Sequence, residues 1–169
     1  MDFIIREATE IWAEKIAYIH GLIWQEAYKN LISENDILLR VSEYKERCIK
    51  WRNIINDSTT LVAIADNEII GFVACGNARD QSMMTYGEIY SLHLLEKYQG
   101  YRIGKTLLDE AINILSKNKF LSAYCWTLEN NLKAQEFYKR NNAQLSTHTK
   151  QTLLGKNYYP EVMLLWNKI

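Results

Sequence analysis

The spacing of apolar residues changes several times along the chain, and each change marks an element. Phe3-Ile4-Ile5-Arg6-Glu7-Ala8 runs from apolar to polar as a short strand, and Thr9 is placed to cap a helix carrying Ile11, Ile16, Ile19, Ile23 and Tyr28. Ser33-Glu34-Asn35-Asp36 has the make-up of a capping box before Ile37-Leu38-Leu39. Tyr44, Cys48, Trp51 and Ile55, recurring at spacings of three and four, belong to the second helix that follows. Two β-branched-rich runs, Thr59 to Ala65 and Ile69 to Cys75, flank the polar turn Asp66-Asn67-Glu68 and predict an antiparallel hairpin. A polar loop from Asn77 to Thr85 leads to Glu88-Ile89-Tyr90-Ser91-Leu92-His93-Leu94, which alternates as a strand.

From Thr106 the stripe Leu107, Leu108, Ala111, Ile112 and Leu115 predicts an amphipathic helix, with Asp109 and Glu110 early in it where the macrodipole favours acids. Leu121 to Leu128 reads as a strand, Asn131 to Arg140 as a short helix stopped by Asn141-Asn142, and Leu145 to Leu153 and Tyr158 to Trp166 as two strands around Gly155-Lys156-Asn157. The only proline, Pro160, is expected on an edge or at a strand start. The resulting order is β-α-α-β-β-β-α-β-α-β-β, an α/β chain with a mixed sheet and helices on its faces.

A length of 169 residues, 48% of them hydrophobic, suits a single domain spanning residues 1–169. Twenty basic and twenty acidic residues cancel, so net charge offers no long-range attraction to nucleic acid or an anionic membrane, and neither is expected as a partner. Cys48, Cys75 and Cys125 are odd in number and set in apolar surroundings, which points to buried thiols in a reducing compartment rather than disulfides or a metal site. With no secretion signal and no run near the roughly 20 apolar residues of a membrane span, a cytoplasmic location is expected.

Two segments carry candidate chemistry. Tyr98-Gln99-Gly100-Tyr101-Arg102-Ile103-Gly104-Lys105 joins a strand to a helix, and its glycines permit a tight turn that aims free N–H groups outward. At a helix N-terminus such groups suit a pyrophosphate, although the segment also reads as a plain glycine turn. It lacks the spacing of a P-loop. In Trp126 to Tyr138, Asn131, Ala134 and Tyr138 share one helix face: a small residue admitting a ligand chain, an amide to bond it and a phenol one turn on. The same residues also read as a helix cap and core aromatics.

Together, in order and spacing, these segments resemble the GNAT (GCN5-related N-acetyltransferase) superfamily. Its pyrophosphate loop reads Gln or Arg, two residues, Gly, one residue, then Gly or Ala, and its later segment commonly reads N-x-x-A-x-x-x-Y. The likeness covers most of the chain, with weaker similarity to a subgroup in His20 to Tyr28 and Gly155 to Val162. One position departs: the first motif glycine is Arg102 here.

The resemblance implies a mostly antiparallel twisted sheet of about seven strands in which two parallel strands splay around acetyl-CoA. It implies an N-acetyltransferase acting by direct attack of a primary amine of a small molecule or peptide, with no metal. The backbone of Leu92, His93 and Leu94 would pair with the pantetheine arm and the Leu94 N–H would meet the thioester carbonyl. Gln99, Gly100, Tyr101, Arg102, Ile103, Gly104 and Lys105 would surround the pyrophosphate, with Asn131, Ala134 and Tyr138 along the arm. Tyr138 is the expected acid and Glu88 the expected base, with Glu129, His93 and His20 as alternatives. His20, Trp24 and Tyr28, at spacings of four, are expected on one side of the acceptor, and Tyr158 and Tyr159 on the other. Homodimers are frequent in the family, and the aromatic C-terminal strands would suit one. The rival functions are a non-catalytic acyl-CoA-binding module and a protein N-terminal or lysine acetyltransferase.

Overall fold

The computed structural model describes all residues from Met1 to Ile169. Its elements are β1 (Ile4–Glu7), α1 (Ala13–Ala27), α2 (Glu34–Ser42), α3 (Tyr44–Asp57), β2 (Thr59–Ala65), β3 (Glu68–Asn77), β4 (Gly87–Leu94), α4 (Ile103–Lys117), β5 (Ala123–Leu128), α5 (Leu132–Arg140), β6 (Gln144–Leu154) and β7 (Asn157–Trp166). Thr9 precedes a single 3₁₀ turn, Glu10–Trp12, and not the helix itself, which leaves Ile11 exposed at 84%.

The early helical region has three helices where the periodicity predicts two. No glycine or proline marks the break at Glu43, which takes φ −75° and ψ 44°. Arg47 makes the break tolerable: its guanidinium donates to the orphan carbonyls of Arg40 at 2.5 Å and Val41 at 3.2 Å, and to Ala17 of α1 at 2.8 Å. One side chain thus terminates α2 and fastens α3 to α1.

The strands form one seven-stranded sheet in the order β1-β2-β3-β4-β5-β7-β6. Asp66 and Asn67, both at positive φ, close the β2–β3 hairpin as the sequence predicts. Every pairing is antiparallel except β4 with β5, whose register holds only from Gly87↔Ala123 to Ile89↔Cys125. Beyond that point the two strands diverge, and the divergence opens a cleft.

Pro160 lies in β7, between β5 and β6, rather than on an edge. Its carbonyl accepts from Glu129 N–H at 2.9 Å, on the side away from β6. Since a strand residue's N–H and C=O point the same way, the missing N–H also falls on that side, past the last β5 pairing at Leu128↔Glu161. The β6–β7 ladder therefore loses nothing.

Apolar residues of α4 (Leu107, Leu108, Ala111, Leu115) pack on one face of the sheet with Tyr138 and Trp166, while Ile16 and Ile23 of α1 and Trp51 of α3 cover the other, against Phe72 of β3. A smaller cluster of Trp24, Ile32, Ile37, Leu128 and Leu154 joins the α1–α2 region to the β6–β7 hairpin. No helix is long and apolar enough to cross a membrane.

Candidate active site

The cleft between the diverging ends of β4 and β5 is a cavity of about 940 Å³. Leu92, His93 and Leu94 form one wall, Cys125 to Leu128 the other, and Asn131, Ala134 and Tyr138 of α5 the floor, with Gln99, Gly100, Arg102, Gly104 and Lys105 at one end. Two residues of this loop keep their side chains out of the cavity. Tyr101 projects to solvent at 53% exposure, and Ile103 is fully buried in the core, because the first helical turn points it at the sheet.

The loop before α4 is the most distinctive part. None of the backbone N–H groups from Gly100 to Lys105 has an intramolecular partner, and the first bond of the helix runs from Thr106 N–H to the Arg102 carbonyl at 3.0 Å. A run of free donors at the positive end of a fifteen-residue helix is an anion site by construction. Gly100 takes φ 87°, and Arg102 takes φ 65°, the left-handed conformation that glycine would adopt without cost. The departure from the motif is thus one of residue and not of backbone, at an expense of about 1–2 kcal/mol. Lys133 of α5 reaches the loop through the Gln99 side chain at 2.7 Å.

Strand alternation sets which backbone groups face the cleft. The Leu95 N–H donates across the sheet to Ile70 at 3.0 Å, so the Leu94 N–H is turned away from β3 and toward the gap. The Leu94 carbonyl, on that same side, accepts from the Gln99 amide at 3.4 Å. Asn131 caps α5 by accepting from Ala134 N–H at 3.1 Å, which leaves its NH2 as the group available to a ligand.

Tyr138 is buried at the floor, its ring edge-on to Trp166 at 5.7 Å, and its phenol neighbours the Cys125 thiol. Burial, reinforced by Cys125, raises its pKa well above the ordinary value, so the phenol stays protonated. Burial likewise drives the Cys125 thiol upward, away from any thiolate role. His93 turns its ring toward α1, 4.9 Å from His20 and 6.4 Å from Tyr28, and burial holds its pKa down at about 4.

Glu88, expected as a base, is turned out of the cleft. Its carboxylate, 2% exposed, accepts from the Arg79 backbone at 2.7 Å, from the Arg79 guanidinium and from the Tyr124 phenol at 3.0 Å, so its lone pairs are committed to the fold. Glu129 is exposed and does not line the cavity either. His20 is half-buried and outside the cavity: Trp24 and Trp51 aim their indole N–H groups at its two ring nitrogens, at 3.0 and 3.1 Å, and neither nitrogen is left for a substrate. A neutral imidazole has one lone pair, so only one of these indoles is bonded at a time.

Of the expected acceptor residues, Tyr28 lines the cavity, stacked on Trp24 at 4.4 Å, and burial followed by the nearby Glu161 raises its pKa to about 12. Trp24 is a core residue, and Tyr158 is on the outer face of the hairpin, 68% exposed. The sequence reading missed Glu26 and Glu161, which also line the cavity. Glu161 accepts from Thr152 at 2.5 Å and pairs with Lys150 at 3.3 Å. A charged residue at an inward position of a strand was the available signal; for Glu26, near the end of α1, there was none.

Residues 24–142 match the family model described as the acetyltransferase (GNAT) family. An uncharacterised N-acetyltransferase of Bacillus subtilis, YuaI, is 28% identical over 75% of this chain and 72% of its own. The spermidine N(1)-acetyltransferase of Thermoplasma acidophilum is 28% identical over 94% of this chain and 99% of its own. Among solved structures, the PaiA N-acetyltransferase of Thermoplasma acidophilum in complex with coenzyme A superposes with a TM-score of 0.79 at 23% identity, covering 100% of both chains. The splayed parallel pair, the unpartnered amides before α4 and the family match converge: the chain belongs to the acetyltransferase (GNAT) family of enzymes.

Proposed function

We propose that this enzyme transfers an acetyl group from acetyl-CoA to a primary amine of a small polycation, by direct attack within the cleft between β4 and β5. The observation that carries the donor half is the run of unpartnered N–H groups from Gly100 to Lys105, a seat for the pyrophosphate with Arg102 and Lys133 beside it. From there the pantetheine arm runs past Asn131 and Ala134 to bring the thioester under the Leu94 N–H. That amide stabilises the oxyanion as the amine adds to the carbonyl carbon.

Two features support a cationic acceptor. Glu26 and Glu161 line the same cavity as Tyr28, and a carboxylate there pairs with an ammonium group remote from the one that reacts. The spermidine N(1)-acetyltransferase similar to this chain over nearly its whole length points the same way.

The reaction makes a C–N bond and breaks the C–S bond. The acceptor nitrogen, with a pKa of about 10.4 as an ammonium, must lose two protons in all: one before attack and one after. His93, neutral at working pH because it is buried, has a free lone pair at the α1 side of the gap. Its low basicity suits passing protons to solvent rather than holding them. The departing sulfur takes one proton from the Tyr138 phenol as the C–S bond breaks, and the phenolate, disfavoured by burial, recovers it from solvent. No acyl-enzyme is needed, in keeping with the elevated Cys125 thiol.

The test is calorimetry with CoA, followed by a thiol-release assay with acetyl-CoA against spermidine, spermine, aminoglycosides, amino acids and short peptides. Micromolar CoA binding and release strongest with the polyamines are expected. Binding with no release would make the chain a non-catalytic acyl-CoA module. Release with peptides alone would make it a protein acetyltransferase. Failure to bind CoA would remove the proposal altogether.

A further inference from the structure

Asp36 stands at the third position of α2, where the capping-box reading expects an acidic side chain to reach back to the Ser33 backbone. It does not. The Ser33 N–H donates to the Tyr159 hydroxyl at 3.0 Å, while the Asp36 carboxylate, 2% exposed, turns toward the β6–β7 turn. There it accepts from the Lys156 backbone at 2.7 Å, the Asn157 amide at 2.8 Å, the Tyr159 phenol at 2.6 Å and the Ser33 hydroxyl at 2.7 Å. Four donors fill a carboxylate's accepting capacity, and all four are neutral, so the charge is held by hydrogen bonds and the N-terminus of α2. Gly155, at φ 71°, abuts the same carboxylate so closely that a Cβ there would collide with it.

The two segments joined in this way do not line the cleft themselves but support residues that do. Directly beneath lies the cluster of Trp24, Ile37, Leu128 and Leu154, against which Tyr28 and Tyr159 pack. Tyr28 and Leu128 in turn line the cavity, as does Glu161, two residues beyond Tyr159 on β7. We propose that Asp36 is a positioning residue for the acceptor: its buried carboxylate latches the β6–β7 turn to α2 and so fixes the spacing of Tyr28 and Glu161. The latch acts on the amine side only. No hydrogen bond joins the pyrophosphate loop or α4 to Asp36 or to the β6–β7 turn, whose bonds to Asp36 come from Lys156, Asn157 and Tyr159. The inference rests on the reading that the amine enters between α1–α2 and the hairpin.

Steady-state kinetics of the full chain, varying spermidine and acetyl-CoA separately, tests it. Asp36→Ala raises the KM for spermidine at least tenfold and leaves the calorimetric Kd for CoA within twofold. Asp36→Asn, which keeps the shape and one acceptor oxygen, falls between Ala and wild type. An unchanged spermidine KM, or an equal loss toward spermidine and CoA, overturns the inference. A second readout is independent of turnover: amide hydrogen exchange of Lys156 and Asn157 is at least tenfold faster in Asp36→Ala while α4 is unaffected. Unchanged exchange at the turn also overturns the latch. Wild-type protein that binds CoA but acetylates no amine refutes the transfer reading instead, and the exchange experiment still decides whether the latch exists.

Discussion

Glu88 and Tyr124 face each other in the parallel pairing of β4 with β5, and the Tyr124 phenol donates to the Glu88 carboxylate at 3.0 Å. With Arg79 on its other side, the carboxylate braces the two strands just before they part. Truncating it to alanine leaves a buried phenol and a backbone N–H unpaired, so Glu88→Ala lowers stability by roughly 1–3 kcal/mol. Denaturant titration measures the loss. Glu88→Gln, which still accepts hydrogen bonds, retains turnover within a few-fold. A fall of a hundredfold in a folded Glu88→Gln protein would restore the base role expected from sequence.

Tyr138→Phe preserves the packing against Trp166 and removes only the hydroxyl. If that hydroxyl protonates the leaving sulfur, kcat drops by about 100-fold or more while the Kd for acetyl-CoA is unchanged. Single-turnover kinetics alongside calorimetry separates the two quantities, and undiminished turnover removes the assignment.

Arg102 holds a left-handed backbone that glycine adopts freely. Arg102→Gly relieves about 1–2 kcal/mol of steric strain but adds freedom to the unfolded chain, for a net stabilisation of about 0.5–1 kcal/mol. The backbone donors remain, so affinity for acetyl-CoA changes only a few-fold with the loss of the guanidinium. Complete loss of binding in a folded variant would mean that the loop has been misassigned.

Burial lowers the pKa of His93 to about 4 and also holds His20 well below the ordinary value. In the unfolded chain both titrate near about 6.5. Between those values the unfolded state takes up protons that the native state refuses, so stability is highest above about 6.5 and falls as pH drops toward 4. Urea midpoints measured from pH 7 to pH 5 should decline, and His93→Gln should flatten part of that slope. An unaltered slope would show that His93 is not the residue being titrated.

Much of the fold was legible because it rests on local periodicity. The Leu107, Leu108, Ala111 and Leu115 stripe, the Asp66-Asn67 turn and the glycine-bearing loop are short-range signals, and each structural element formed close to where those signals lie. The break at Glu43 was not legible, because it is made possible by Arg47 satisfying carbonyls of α2, a bond whose geometry exists only after α1, α2 and α3 have packed. Asp36 was read as a cap for the same reason: its position in the chain is that of a capping residue, and only the distant hairpin supplies better donors.

By itself, then, the order of residues determined the strands and helices and the placing of free amides before α4, since helix termini and alternation depend on neighbours in the chain. What tertiary structure alone decided was the direction in which each polar side chain spends its hydrogen bonds. Glu88 went to Arg79 and Tyr124, His20 to a place between two tryptophan indoles, and Glu161 to Thr152 and Lys150. A buried polar group takes whichever partners packing brings within about 3 Å, and chain separation plays no part in that choice.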